Sequence, residues 1–174
     1  VSCKDYANNL YKMGESKERI HITGALNVDN MKKRRKVTRK QLFRELNLDV
    51  TKPTVLMSYH PVTLDFEVTL QSQLENIFNA LELFDFQVVI TAPNDEVDRD
   101  TLVSYQKRKV AQNPDIHYFD SLGFDRYHNL LTCCELVIGN SSSGISEAPY
   151  FKVPTINIGN RQKGRIRHQS VIDT

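Results

Sequence analysis

From about Thr54 onward, short uninterrupted apolar runs alternate with longer stretches whose apolar residues recur every three or four positions. A continuous apolar run of strand length fits a strand buried on both faces, and a three-to-four spacing fits one face of a helix. This pattern predicts strands at Thr54 to Tyr59, Phe86 to Thr91, Asp115 to Phe119, Glu135 to Gly139 and Thr155 to Ile158. Between them it predicts a helix over Glu67 to Phe84, with Leu70, Leu74, Ile77, Leu81 and Phe84 on one face, and helices at Leu102 to Ala111 and Phe124 to Cys133. Alternating strands and helices are βαβ units, so the expected fold is α/β, a parallel sheet with helices on both faces.

The first fifty residues read differently. Tyr6 to Met13 fits a helix ended by Gly14, Arg19 to Thr23 a short strand ended by Gly24, and Thr38-Arg39-Lys40-Gln41 a capping box opening a helix to about Leu46. Asn47 to Pro53 reads as a linker. The expected division is therefore residues 1–50 as the edge of another domain plus linker, and 51–174 as the main domain. A chain that opens on Val1 and stops at Thr174, without a helix over its last strand, reads as a fragment of a longer protein. Uncovered apolar surface there leads to an expectation of self-association into a homo-oligomer.

Composition narrows the class. The 174 residues are 40% hydrophobic and 25% charged, with a net charge of +2, the profile of a soluble globular chain. No stretch has the apolar length of a membrane span or the form of a secretory signal, so a cytoplasmic protein without membrane contact is expected. Cys3, Cys133 and Cys134 lack disulfide or zinc-ligand spacing, and no metal is expected. The run Lys32 to Lys36 has no interleaved aromatic residues and reads as a solvated connector, not a nucleic-acid surface.

Candidate chemistry gathers in Leu136 to Arg161, LVIGNSSSGISEAPYFKVPTINIGNR. A strand ends in Gly139-Asn140, and Ser141, Ser142, Ser143 and Gly144 open a helix carrying Glu147. Amides at a helix start suit a pyrophosphate, serine hydroxyls add donors, and Gly144 would let a ligand approach the backbone. Glu147 stands where it could accept from ribose hydroxyls. Serine turns also simply cap helices, and the segment matches neither the P-loop nor the dinucleotide fingerprint. The next strand delivers Arg161 to the same sheet edge, where it could pair with a phosphate or with Glu147.

Tyr59-His60-Pro61-Val62-Thr63 follows the first strand, so His60 stands at the ligand-binding edge, able to donate to a phosphate or to move a proton, or else only to brace its loop. Asn94, after Ala92-Pro93, holds the equivalent place on the second strand. Asp95, Glu96, Asp98 and Asp100 crowd one loop and read as solvated.

His60-Pro61-Val62-Thr63, Pro93-Asn94, Gly139 to Ile145 with Glu147, and Val153 to Gly164 followed by Arg165 stand in an order and spacing that resembles the hydrolysing UDP-N-acetylglucosamine 2-epimerases, which make N-acetylmannosamine or related sugars for sialic-acid-type biosynthesis. The resemblance implies the two-domain GT-B fold, with this chain supplying the end of the first Rossmann-like domain and most of the second. It implies that Ser141, Ser142, Ser143 and Gly144 hold the pyrophosphate, Glu147 the ribose, Arg161 the nucleotide site, Leu122 the uracil pocket and Asn94 the substrate, with His60 catalytic. The implied reaction removes the C2 proton, eliminates UDP to a glycal and adds water, with no redox cofactor. Its partners would be UDP, UDP-N-acetylglucosamine and the missing N-terminal domain, whose carboxylates carry the proton transfers, so the isolated fragment is expected to be inactive. The acidic loop Asp95 to Asp100 departs from the family's small and basic residues. Other readings of the same features are action on a UDP-diacetamido-trideoxyhexose, a GT-B glycosyltransferase donor domain, and a non-catalytic sugar-nucleotide-binding module.

Overall fold

A computed structural model describes residues 1–62 and 68–174. Thr63 of the His60 motif and Glu67, the expected start of the long helix, lie outside the described residues. The chain forms two compact units, Val1–Arg35 and Lys36–Thr174.

The first unit holds α1 (Lys4–Lys12), a single 3-10 turn at Lys17–Arg19 and α2 (Leu26–Lys33). Gly14 closes α1 with φ +97, a left-handed conformation that costs glycine little. The strand expected at Arg19 to Thr23 does not form. That segment instead ties to the amino terminus, with the Val1 ammonium donating to His21 O (2.8 Å) and Thr23 N–H to Val1 O (3.0 Å). The basic run at the end of α2 is largely exposed, as a solvated connector should be.

The second unit begins with α3 (Arg39–Glu45), opened by the expected capping box: Thr38 Oγ1 accepts from Gln41 N–H while Gln41 Oε1 accepts from Thr38 N–H. The division between units falls ahead of the expected Asn47 to Pro53 linker because Leu42, Phe43 and Leu46 belong to the core of the second unit. Gln87 also clasps Asp49, accepting from its N–H (3.1 Å) and donating to its carbonyl (2.6 Å), so the segment is held.

Six parallel strands follow, β1 (Thr54–Ser58), β2 (Gln87–Thr91), β3 (Ile116–Phe119), β4 (Leu136–Gly139), β5 (Thr155–Asn157) and β6 (Val171–Asp173), in the order β3-β2-β1-β4-β5-β6. Successive side chains alternate between faces. Val55, Met57, Val88, Ile90 and Ile138 pack against α4 (Leu70–Leu81) and α5 (Arg99–Gln112), whereas Leu56, Val89 and Val137 pack against α3 and α6 (Gly123–Leu130). Both faces are thus covered, which is why the strands read as continuous apolar runs.

Three expectations need adjustment. α4 stops at Leu81, and Phe84 is 61% exposed, stacked on Phe86 instead of continuing the buried stripe. α6 ends at Leu130, so Cys133 and Cys134 lie beyond the helix in a turn whose amides both bond Leu130 O. Burial pushes the Cys134 thiol up to about 12, so it is an inert core group. Finally, β6 is an additional strand at the sheet edge.

Candidate functional site

Strand order reverses between β1 and β4: the chain steps outward from β1 through β2 to β3, then returns to the other side of β1 for β4. The carboxyl ends of these two strands form the crevice where open α/β sheets bind ligands. Gly139 ends β4 there with φ +134, and a Cβ would stand 2.1 Å from Ser58 O. Only glycine allows the two strand ends to run so close.

Asn140 exploits that approach. Fully buried, it accepts from His60 N–H through Oδ1 (2.7 Å) and donates from Nδ2 to His60 O (2.8 Å), fixing the backbone after β1. Its own carbonyl accepts from Gln162 Nε2 (2.8 Å) and Arg161 Nη1 (3.3 Å), from the loop after β5. One residue therefore ties together the loops after β1, β4 and β5. The sequence presents Gly139-Asn140 only as turn chemistry, and nothing local marks Asn140 as this tie.

Around it, His60 Nδ1 lies 3.5 Å from Glu96 Oε1 and 3.5 Å from Asn94 N–H, while Arg161 Nη2 lies 2.9 Å from Glu96 Oε1. Burial lowers the His60 pKa and the Arg161 charge lowers it further, against an upward pull from Glu96. Burial and the guanidinium thus both disfavour a charged imidazole at this point. The structure brings His60, Asn94 and Arg161 together as expected, but pairs Arg161 with Glu96, not with Glu147. Glu96 is thereby removed from the solvated acidic cluster, and no local sequence signal distinguishes it from Asp95 or Asp98.

The serine turn is shorter than expected. α7 spans only Ser142–Ser146, and Glu147 follows it as the cap, leading into a 3-10 turn at Ala148–Phe151. So short a helix has little dipole, and donors to an anion must come mainly from hydroxyls and Arg161. Ser141 Oγ accepts from Ser143 N–H (3.4 Å), the capping role. Ser143 Oγ bonds the hydroxyl of Tyr127, whose pKa burial pushes up to about 12. Gly144 also packs closely within the fold: a Cβ there would stand 2.7 Å from Thr155 Cγ2, and its carbonyl accepts from Thr155 Oγ1 (2.9 Å), so the glycine seats α7 on β5.

Glu147 Oε2 lies 3.3 Å from His128 Nε2. Leu122 is 2% exposed, backbone included, and belongs to the core, and its carbonyl accepts from Arg126 Nε (2.8 Å). The accessible aromatic of this segment is Phe124, 47% exposed, its ring 4.4 Å from that of His128. Among the described residues no cluster of three His, Cys, Asp or Glu could hold a metal ion, and no helix is long and apolar enough to cross a membrane.

Fold and crevice define a doubly wound α/β protein with an open switch point at the carboxyl ends of β1 and β4. The profile of the UDP-N-acetylglucosamine 2-epimerase family matches residues 1–174, and the chain belongs to that family. It is 34% identical, over its whole length, to the GDP/UDP-N,N′-diacetylbacillosamine 2-epimerase (hydrolyzing) of Campylobacter jejuni, covering 46% of that protein. To the UDP-N-acetylglucosamine 2-epimerase of Neisseria meningitidis it is 29% identical, covering 100% of this chain and 45% of that one. The chain thus spans about half the length of the curated relatives it matches. Among solved structures, the Methanocaldococcus jannaschii UDP-GlcNAc 2-epimerase in complex with UDP-GlcNAc and UDP superposes with a TM-score of 0.72 at 18% identity, over 96% of this chain and 47% of that one. The E. coli ADP-heptose lps heptosyltransferase II gives 0.59 at 11% identity, over 81% and 44%. At such identities the likeness is one of fold, the GT-B type.

Proposed function

We propose that the Lys36–Thr174 unit is the UDP-holding half of a hydrolysing sugar-nucleotide 2-epimerase. The observation that carries this reading is the tie made by Asn140, which gathers His60, Arg161 and the serine turn at the β1/β4 crevice. In this reading Arg161 and the hydroxyls of Ser141, Ser142 and Ser143 hold the pyrophosphate, with Gly144 supporting the turn. Glu147 accepts from the ribose, uracil lies by the Leu122–Phe124 turn against the exposed Phe124 ring, and Asn94 faces the sugar. His60, beside the phosphate site, acts by proton transfer or by stabilising the departing UDP through a ring N–H, and burial together with the Arg161 charge favours its uncharged form. The carboxylates that remove the C2 proton belong to a preceding domain, so this chain alone binds UDP without turnover. A cytoplasmic homo-oligomer serving sialic-acid-type biosynthesis completes the proposal.

The proposed substrate is UDP-N-acetylglucosamine, released as UDP and N-acetylmannosamine. A second reading, UDP-N,N′-diacetylbacillosamine, is favoured by the 34% identical relative. Both are tested by incubating the full-length protein with each nucleotide sugar and following UDP release and the free sugar by NMR. A free 2-epimer from one substrate selects it. Sugar transfer to an acceptor, without free 2-epimer, refutes both. In the full-length enzyme His60→Ala should lower turnover by roughly 10²- to 10⁴-fold, the scale of one lost acid/base group, with UDP affinity nearly unchanged.

A further inference from the structure

His128 is buried, with 7% of its side chain exposed, and its ring is enclosed by those of Phe124, Tyr127 and Phe151, at centroid distances of 4.4, 5.6 and 6.1 Å. Its Nδ1 lies 2.8 Å from the Phe124 carbonyl. A carbonyl only accepts, so Nδ1 carries a hydrogen. In a neutral ring Nε2 would then present its lone pair, 3.3 Å from Glu147 Oε2, so two electron-rich atoms would face each other. Nε2 has no hydrogen-bond partner among the described residues, and its contact with Glu147 is within ion-pair range but off the line of a hydrogen bond. A second proton on the ring turns this repulsion into attraction. This attraction acts against the desolvation that opposes charging a buried ring.

We propose that His128 is the positioning residue for Glu147: an imidazolium whose Nε2 edge holds Oε2 as an ion pair, leaving Oε1 of the carboxylate to accept from the nucleotide ribose. The proposal rests on the reading of Glu147 as the ribose-binding carboxylate. Glu147 is the only acid in the segment Ser141 to Lys152 and follows a five-residue helix, so it has little rigid secondary structure to aim it. An ion pair to a ring locked by its own Nδ1–H bond supplies that aim. Phe124, packed at a tilt of 58° on the same ring, links the order of the base-contacting aromatic to that of the ribose-contacting acid.

Two measurements on the chain test this. The first is the ring ¹⁵N chemical shifts of His128 at neutral pH. Both nitrogens should be protonated in the wild type, and Glu147→Gln should return the ring to the singly protonated Nδ1–H form. A neutral ring in the wild type overturns the proposal. The second compares UDP with 2′,3′-dideoxyuridine diphosphate by calorimetry. Wild type should prefer UDP by roughly tenfold to a hundredfold, the worth of a charge-assisted hydrogen bond. In His128→Phe that preference should fall toward unity while dideoxy binding stays within about twofold, because only the aim of Glu147 is lost. Preference retained in His128→Phe, or equal weakening for both ligands, overturns the proposal alone. No preference in the wild type overturns the ribose reading itself. Should His128→Phe fail to fold, His128→Gln removes the charge with a polar side chain and is read the same way.

Discussion

The side chain of Asn140 brackets the backbone of His60, accepting from its N–H and donating to its carbonyl, although the two residues lie 80 positions apart in the chain. A buried pair of this kind defines a position more strictly than apolar packing does, since breaking it strands polar groups without water. Asn140→Ala leaves both His60 groups unpaired at about 1–3 kcal/mol each, so a loss of at least about 2 kcal/mol is expected. Urea unfolding should show a lower midpoint with an unchanged slope.

Gly144 gives a test that separates packing from ligand contact. Gly144→Ala should destabilise the fold, because its methyl would press on Thr155 Cγ2 at 2.7 Å. Thr155→Ser removes that methyl while keeping the hydroxyl that donates to Gly144 O, so the double variant should recover most of the loss. Thermal melts of the four proteins without ligand complete the cycle. Additive losses would show that the two side chains do not meet.

His60 should make stability depend on pH in a definite direction. Its folded pKa lies below the ordinary value of 6.5, so the folded state resists protonation that the unfolded chain accepts. The stability it contributes is full above about pH 6.5 and is lost as pH falls from there through the folded pKa. Glu96 opposes this shift and Arg161 promotes it. Glu96→Gln should therefore move the His60 titration, followed by NMR of its ring Cε1–H, further down, and Arg161→Gln should move it up. Shifts of the same sign in both variants would contradict the arrangement.

Arg161 is already engaged, with Nη2 2.9 Å from Glu96 Oε1, so an incoming phosphate competes with a carboxylate for it. Glu96→Gln should tighten UDP binding by calorimetry. Arg161→Ala should weaken it by roughly tenfold to a hundredfold, with a reduced dependence on salt.

The covered sheet was legible because parallel strands buried on both faces read as continuous apolar runs, as at Val55 to Met57 and Val88 to Ile90. β6 was not: Val171, Ile172 and Asp173 are only half-buried or exposed at an edge, where neither alternation nor a long run is required. At the site, strand ends foretold where His60, Asn94 and Arg161 would meet. Charge partners were hidden, since Arg161 selects Glu96 across 65 positions and Glu147 meets His128 from another helix. At Gly144 the need for a glycine was legible, but its neighbour Thr155 lies on another strand and no local signal names it.

The pairing of β1 with β4 also sets when the crevice comes into being. Val55 meets Leu136 only after the intervening strands and helices have been made, and closing a loop of that length carries an entropic cost that growing order elsewhere must first offset. Parallel pairing between distant segments is intrinsically slow to form. As the chain leaves the ribosome, β1, β2 and β3 can assemble into a half-sheet with His60 already at its edge, yet without Asn140 to seat it. The crevice between β1 and β4 is therefore a late product of folding, and until the chain has reached Asn140 the loop at His60 has nothing to seat it.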